Sequence, residues 1–181
     1  VFLASLLGLG FDTVLIPASL GPDELSRCGS HPLTDPLLST DATRVVHDGL
    51  ELRSEKVRYL VAAGAPLADL RVCNRFSSYN CGVCEKCLRT MVALELYGGD
   101  CAALPRLKLA AIDTVEFRNV LEVSLWADNL AAAERLGRAD IANPVRRLLR
   151  RHARKEWWRR GDDLLLGGRA LAAWRQLRGK R

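Results

Sequence analysis

The chain has 181 residues, enough for one domain with a sizeable core and too few for two complete catalytic domains. With 49% hydrophobic, 27% charged and 6% aromatic residues it is too apolar for a disordered chain, and no apolar run reaches the roughly 18–20 residues that span a bilayer. The formal net charge of +6 is uneven: residues 1–134 hold 12 Lys/Arg against 17 Asp/Glu and residues 135–181 hold 15 against 4, so a mildly acidic body carries a basic tail and the pI is not by itself a nucleic-acid signature.

The apolar opening, Phe2 to Leu9, reads as a core helix. It lacks the basic leader and small-residue cleavage site of a secretion signal, and Asp12 follows at once. A chain opening at Val1 inside an apolar segment is what part of a longer protein would show. Thr13 to Ile16 is a short continuous run of the buried-strand type, ended by Pro17. From Ala18 to Thr43 the chain is rich in Ser, Gly, Pro, Asp and Thr, with turns expected at Gly21-Pro22, His31-Pro32 and Asp35-Pro36. So long an irregular stretch inside a domain is usually functional or disordered.

Arg44 to His47 is a second strand, closed by Asp48-Gly49; Ser54 is placed to cap a helix that ends before Ala65-Pro66. Glu85 to Tyr97 carries apolar residues in a helical pattern and stops at Gly98-Gly99. Beyond Asp100 the pattern is helical throughout, with Asn143-Pro144 expected to start one helix and Asp162-Asp163 the last. The resulting expectation is an α/β region over residues 1–100 and a helical region with a basic tail over 101–181. Two strands are too few for a complete α/β sheet.

Four of the six cysteines fall in the run Cys73 to Cys87 with the spacing C-x7-C-x2-C-x2-C. Two-residue gaps let consecutive thiolates converge on one ion, Gly82 permits the tight turn, and Cys84 and Cys87 share one face of a helix start whose partial positive charge favours thiolate. Four sulfurs without a further ligand describe a closed tetrahedral site, the form of a structural zinc. Reduced cysteines without metal and an iron–sulfur cluster are the other readings of this spacing, and disulfides would need an oxidising compartment for which no signal is seen. Zinc and a cytoplasmic location are therefore expected. Cys28 and Cys101 stand apart as ordinary thiols.

Residues 13–97 together resemble the C-terminal half of the adenine nucleotide alpha-hydrolase superfamily, the PP-loop ATP pyrophosphatases, and most nearly the 7-cyano-7-deazaguanine synthase type. The similarity rests on the first strand running into a loop with Ser30-His31-Pro32 and Asp35-Pro36, a second strand followed by a helix with Arg53 and Lys56, and the cysteine run continuing into a helix. The resemblance implies the C-terminal part of a doubly wound parallel sheet and a zinc on Cys73, Cys81, Cys84 and Cys87. It also implies an ATP-dependent ligase or amidating chemistry on a small molecule, in which a substrate oxygen is adenylated, pyrophosphate leaves, and a nucleophile displaces AMP.

Ligands of such sheets sit outside the carboxyl ends of the strands. That places Ser19 after the first strand and His47 after the second at the substrate edge, with His31 and Asp35 on the covering loop. Arg53 and Lys56 are then candidate phosphate or carboxylate binders, and Arg75 an anion neutraliser beside the zinc. The S-G-G-x-D-S phosphate loop of the superfamily does not occur in these 181 residues, so ATP and Mg²⁺ are expected only together with a segment that carries it.

In the tail, Arg146-Arg147, Arg150-Arg151 and Arg154-Lys155 recur every four residues and Trp157-Trp158 follow. Residues 144–181 fit a solvated surface helix, a phosphate-binding face for nucleic acid, or an interfacial helix on an anionic membrane surface. The functional alternatives to the enzyme are accordingly a zinc-stabilised tRNA-binding or tRNA-modifying module and a non-catalytic fragment.

Overall fold

A computed structural model describes residues 10–18, 21, 30–74 and 79–178. The helix expected over Phe2 to Leu9 lies outside them, as do Ser19, Cys28 and Arg75. The fold is mixed α/β and mostly helical, with a two-stranded parallel sheet. It divides into two compact units, Val1–Ala65 and Pro66–Arg181.

In the first unit, β1 (Thr13–Pro17) pairs in parallel with β2 (Arg44–Asp48), in register from Thr13 opposite Arg44 to Pro17 opposite Asp48. The ladder continues one step at each end, where the Arg44 amide donates to the Asp12 carbonyl and the Ala18 amide to the Asp48 carbonyl. On the other edge of β2 the Val45 amide donates to the Ser39 hydroxyl, so the segment after a 3₁₀ turn at Asp35–Leu38 shields that edge. Helix α1 (Arg53–Ala62) follows. Its N-cap is Leu52, not Ser54, which is 1% exposed within the first turn; burial of this small side chain outweighs its capping preference.

The second unit is built on α2 (Glu85–Tyr97), α3 (Val120–Arg135), α4 (Ala139–Leu166) and α5 (Arg169–Arg178). Leu88, Val92 and Leu96 of α2 recur at steps of four and pack with Trp126, Ala132 and Ala133 of α3 and Ile141, Val145 and Leu148 of α4. Helix α2 stops at Gly98 in the left-handed conformation (φ 69°), and α3 starts where Asn119 Oδ1 accepts the Glu122 amide.

Two expected helix starts are displaced. Asn143-Pro144 lies inside α4, which begins at Ala139 because burial of Ile141 and Ala142, at 0% and 4% exposure, draws the first turn into the core. Asp162-Asp163 also lies inside α4, which runs on to Leu166; the positive-φ pair Gly167-Gly168 then reverses the chain. Asp162 nevertheless caps the last helix across that turn, its carboxylate accepting the amides of Ala170 and Leu171 at 3.1 and 2.8 Å.

Candidate metal centre and sheet-edge site

In the second unit the four sulfurs of Cys73, Cys81, Cys84 and Cys87 lie within 4.8 Å of one another. Cys73 Sγ is 3.8 Å from Cys84 Sγ, Cys81 Sγ is 3.9 Å from Cys87 Sγ, and Cys84 and Cys87 are 3.5 Å apart. Four sulfurs around one ion at about 2.3 Å, in tetrahedral geometry, are separated by edges of about 3.8 Å. The set therefore has the dimensions to hold a single metal ion, with Cys73 and Cys87 buried and the other two half-buried.

Local backbone chemistry produces this convergence. Gly82 adopts φ +69°, and a Cβ there would stand 2.5 Å from Pro105 Cγ, so the turn between Cys81 and Cys84 needs glycine for both reasons. Cys84 is the N-cap of α2 and Cys87 lies on its first turn. The Cys84 amide points at Cys81 Sγ, 3.3 Å away.

Cys73 arrives from a separate segment, which Asn80 fixes. Its Oδ1 accepts the amides of Val72 and Cys73 at 3.0 and 3.2 Å, while Nδ2 donates to the carbonyls of Leu70 and Ala103 at 2.8 and 3.0 Å. All its amide valences are used to tie three stretches of chain together. Nothing in the sequence marks Asn80 for this role, because its partners are not its neighbours in the chain.

The thiols titrate unequally. At Cys81 burial is the largest influence and pushes the group up, but hydrogen bonds from the Val83 and Cys84 amides and from the Cys84 and Cys73 thiols bring it down to about 6. Burial pushes Cys84 and Cys87 up, reinforced at Cys87 by the Cys84 and Cys81 sulfurs. Sulfurs this close resist ionising together unless a cation shares their charge. Cys101 is separate: it is buried and its thiol faces the Leu67 carbonyl.

In the first unit, His31, Asp35 and His47 come together at the carboxyl ends of the strands. Asp35 is 2% exposed; its Oδ2 accepts from His47 Nδ1 at 2.6 Å and from the Ser30 hydroxyl at 2.7 Å, and its Oδ1 from the His31 amide at 3.0 Å. The His47 hydrogen bond, against the opposing effect of burial and with help from the His31 amide and Ser30, lowers the Asp35 carboxyl to about 2. A carboxylate facing Nδ1 fixes the proton there and leaves Nε2 as the ring's second valence, buried and without a partner among the described residues. Ser30 sits on the Nδ1 side of the ring with Asp35, so the trio lacks the arrangement of a nucleophilic triad, in which serine and carboxylate occupy opposite nitrogens.

Lys56 reaches the same edge, donating its Nζ to the Ala18 carbonyl just past β1. His31 Nδ1 accepts the Leu33 amide within its own turn, and Arg53 stays exposed at the start of α1. The basic residues of α4 lie in the other unit, where Arg147 pairs with Asp113 and Arg151 donates to the carbonyls of Asp113 and Val115.

No helix among the described residues is long and apolar enough to cross a membrane. Compared with family models, curated proteins and solved structures, the chain matches none.

Proposed function

We propose that this chain is the zinc-bearing C-terminal portion of an ATP-dependent ligase or amidating enzyme that forms AMP and pyrophosphate and acts on a small molecule. The observation that carries the reading is the gathering of His31, Asp35, His47 and Lys56 at the carboxyl ends of a parallel strand pair, the edge at which α/β sheets hold their ligands. A parallel pair is normally covered on both faces, yet Leu15 in β1 is 57% exposed. In this reading further strands complete the pair into a doubly wound sheet and bring the phosphate loop for ATP and Mg²⁺.

The metal of this reading is zinc. Four thiolates with no histidine or carboxylate in the set, closing one tetrahedron of about 3.8 Å edge, suit a structural Zn²⁺. In a multi-iron cluster the thiolates bind different irons and spread more widely than the ligands of one ion. The zinc would hold α2 to the segment around Cys73 and contribute folding free energy.

The reaction class is balanced by attack of a substrate carboxylate or carbonyl oxygen on the α-phosphorus of ATP, with loss of pyrophosphate. Ammonia or another nucleophile then displaces AMP. The gene product carrying this chain, incubated with α-labelled ATP, Mg²⁺, ammonia and a pool of small carboxylic acids, should release labelled AMP in a substrate-dependent manner. Formation of ADP, or no nucleotide turnover, would overturn the reading.

A further inference from the structure

Helix α4 extends far beyond the core that holds it. Its buried residues are Ile141, Ala142, Pro144, Val145 and Leu148; the 18 residues from 149 to 166 continue for about 27 Å at 1.5 Å per residue with none buried. At 100° per residue, one face of this projection, directed away from Val145 and Leu148, is ordered along its length. Nearest the core it carries Arg150 and Arg154, which with Asp113, Arg147 and Arg151 line a shallow depression of ≈ 370 Å³. Trp157 and Trp158 follow, 68% and 65% exposed and packed edge to face. Leu164 and Leu165, 85% and 84% exposed, lie nearest the turn into α5. The Asp162 cap and the Gly167-Gly168 reversal hold α5 against α4, so the end presented is a closed hairpin.

We propose that the α4–α5 hairpin docks the protein on an anionic lipid bilayer, with Leu164 and Leu165 entering the acyl boundary, Trp157 and Trp158 at the interface, and Arg150 and Arg154 on the lipid phosphates. The order of the three bands along this face is that of a leaflet from hydrocarbon to headgroup; Arg159, Arg160, Asp162 and Asp163, between the tryptophans and the leucines, project from the other sides of the helix, so the helix meets the interfacial layer obliquely with this face toward the bilayer. Charge complementarity is supplied by 15 Lys/Arg against 4 Asp/Glu over residues 135–181. A phosphodiester chain would be satisfied by the arginines and stacked on by the tryptophans, but it offers nothing to bury two leucines at the tip.

The test is co-sedimentation of the full chain with vesicles of phosphatidylcholine alone and with 30% phosphatidylglycerol, at physiological salt. Binding is expected to the anionic vesicles and to fall roughly tenfold or more in both Leu164→Ser/Leu165→Ser and Arg150→Glu/Arg154→Glu. These side chains are exposed, so neither variant perturbs the core. Lipids brominated near the glycerol end should quench tryptophan emission in the unmodified protein and not in Trp157→Phe/Trp158→Phe/Trp174→Phe, which keeps only the buried Trp126. Absence of vesicle binding, equal binding to both vesicle types, or binding unchanged by the leucine pair would overturn the proposal. Two further results in place of vesicle binding would also overturn it: tight binding of a single-stranded RNA that needs the arginines and not the leucines would assign the face to nucleic acid, and a dimer dissolved by the leucine substitutions would assign it to self-association.

Discussion

Replacing Asn80 by alanine tests whether the cysteine site is preorganised by its surroundings. The substitution removes four hydrogen bonds at once and leaves the amides of Val72 and Cys73 and the carbonyls of Leu70 and Ala103 without this partner. At about 0.5–1.5 kcal/mol each, with partial rehydration because the site is only part-buried, the expected loss is about 3 kcal/mol. The effect on metal affinity should be separate and measurable: with the backbone at Cys73 no longer pinned, one of four ligands must be ordered on binding, and a loss of about 10–100-fold is expected. Urea unfolding with metal bound and with chelator present gives the first quantity; competition against a chromophoric chelator gives the second. Asn80→Asp keeps the two acceptor bonds to the Val72 and Cys73 amides and loses both donor bonds, so it should retain part of the stability of the amide. An Asn80→Ala protein within about 0.5 kcal/mol of the parent, with unchanged metal affinity, would show that Asn80 does not preorganise the cysteine site.

The remaining predictions concern single features. Gly82→Ala should cost about 2–3 kcal/mol in chemical unfolding, from the left-handed backbone and from the contact with Pro105; Pro105→Ala should recover only the second part, a non-additivity that a double-mutant cycle reads directly. Asn119→Ala should cost about 1 kcal/mol in thermal unfolding without altering metal binding, since it removes only the cap of α3. For Asp35 the folded carboxyl, at about 2, lies below its ordinary 3.8, so its contribution to stability is present above pH 3.8 and is lost as the pH falls toward 2. The stability difference between the parent and Asp35→Asn should shrink as the pH falls through that window; a difference that grows on acidification there would contradict the assignment.

Features encoded locally were legible in the sequence. The strand at Thr13, the strand at Arg44 and the helix from Glu85 to Tyr97 stand where composition and spacing put them, because a β-branched or apolar run bounded by Pro or Gly is sufficient to specify each. The four cysteines were legible for the same reason: three lie within seven residues, and a turn and a helix start bring them together. Long-range packing hid the rest. Ser54 looks like a cap but is buried in the first turn, and Asn143-Pro144 looks like a start but is overridden by Ile141 and Ala142 entering the core. The alliance of Asp35 with His47 spans twelve residues and an irregular loop, so each residue could be singled out while their hydrogen bond could not. Asn80 left no signal beyond its place in the cysteine run.

X-ray absorption at the zinc and iron edges of the purified protein tests the metal centre most directly. One zinc per chain surrounded by four sulfurs at about 2.3 Å, with no nitrogen or oxygen ligand, is the expected result. Iron with iron neighbours, a mixed ligand shell, or a protein that folds and retains no metal would contradict it.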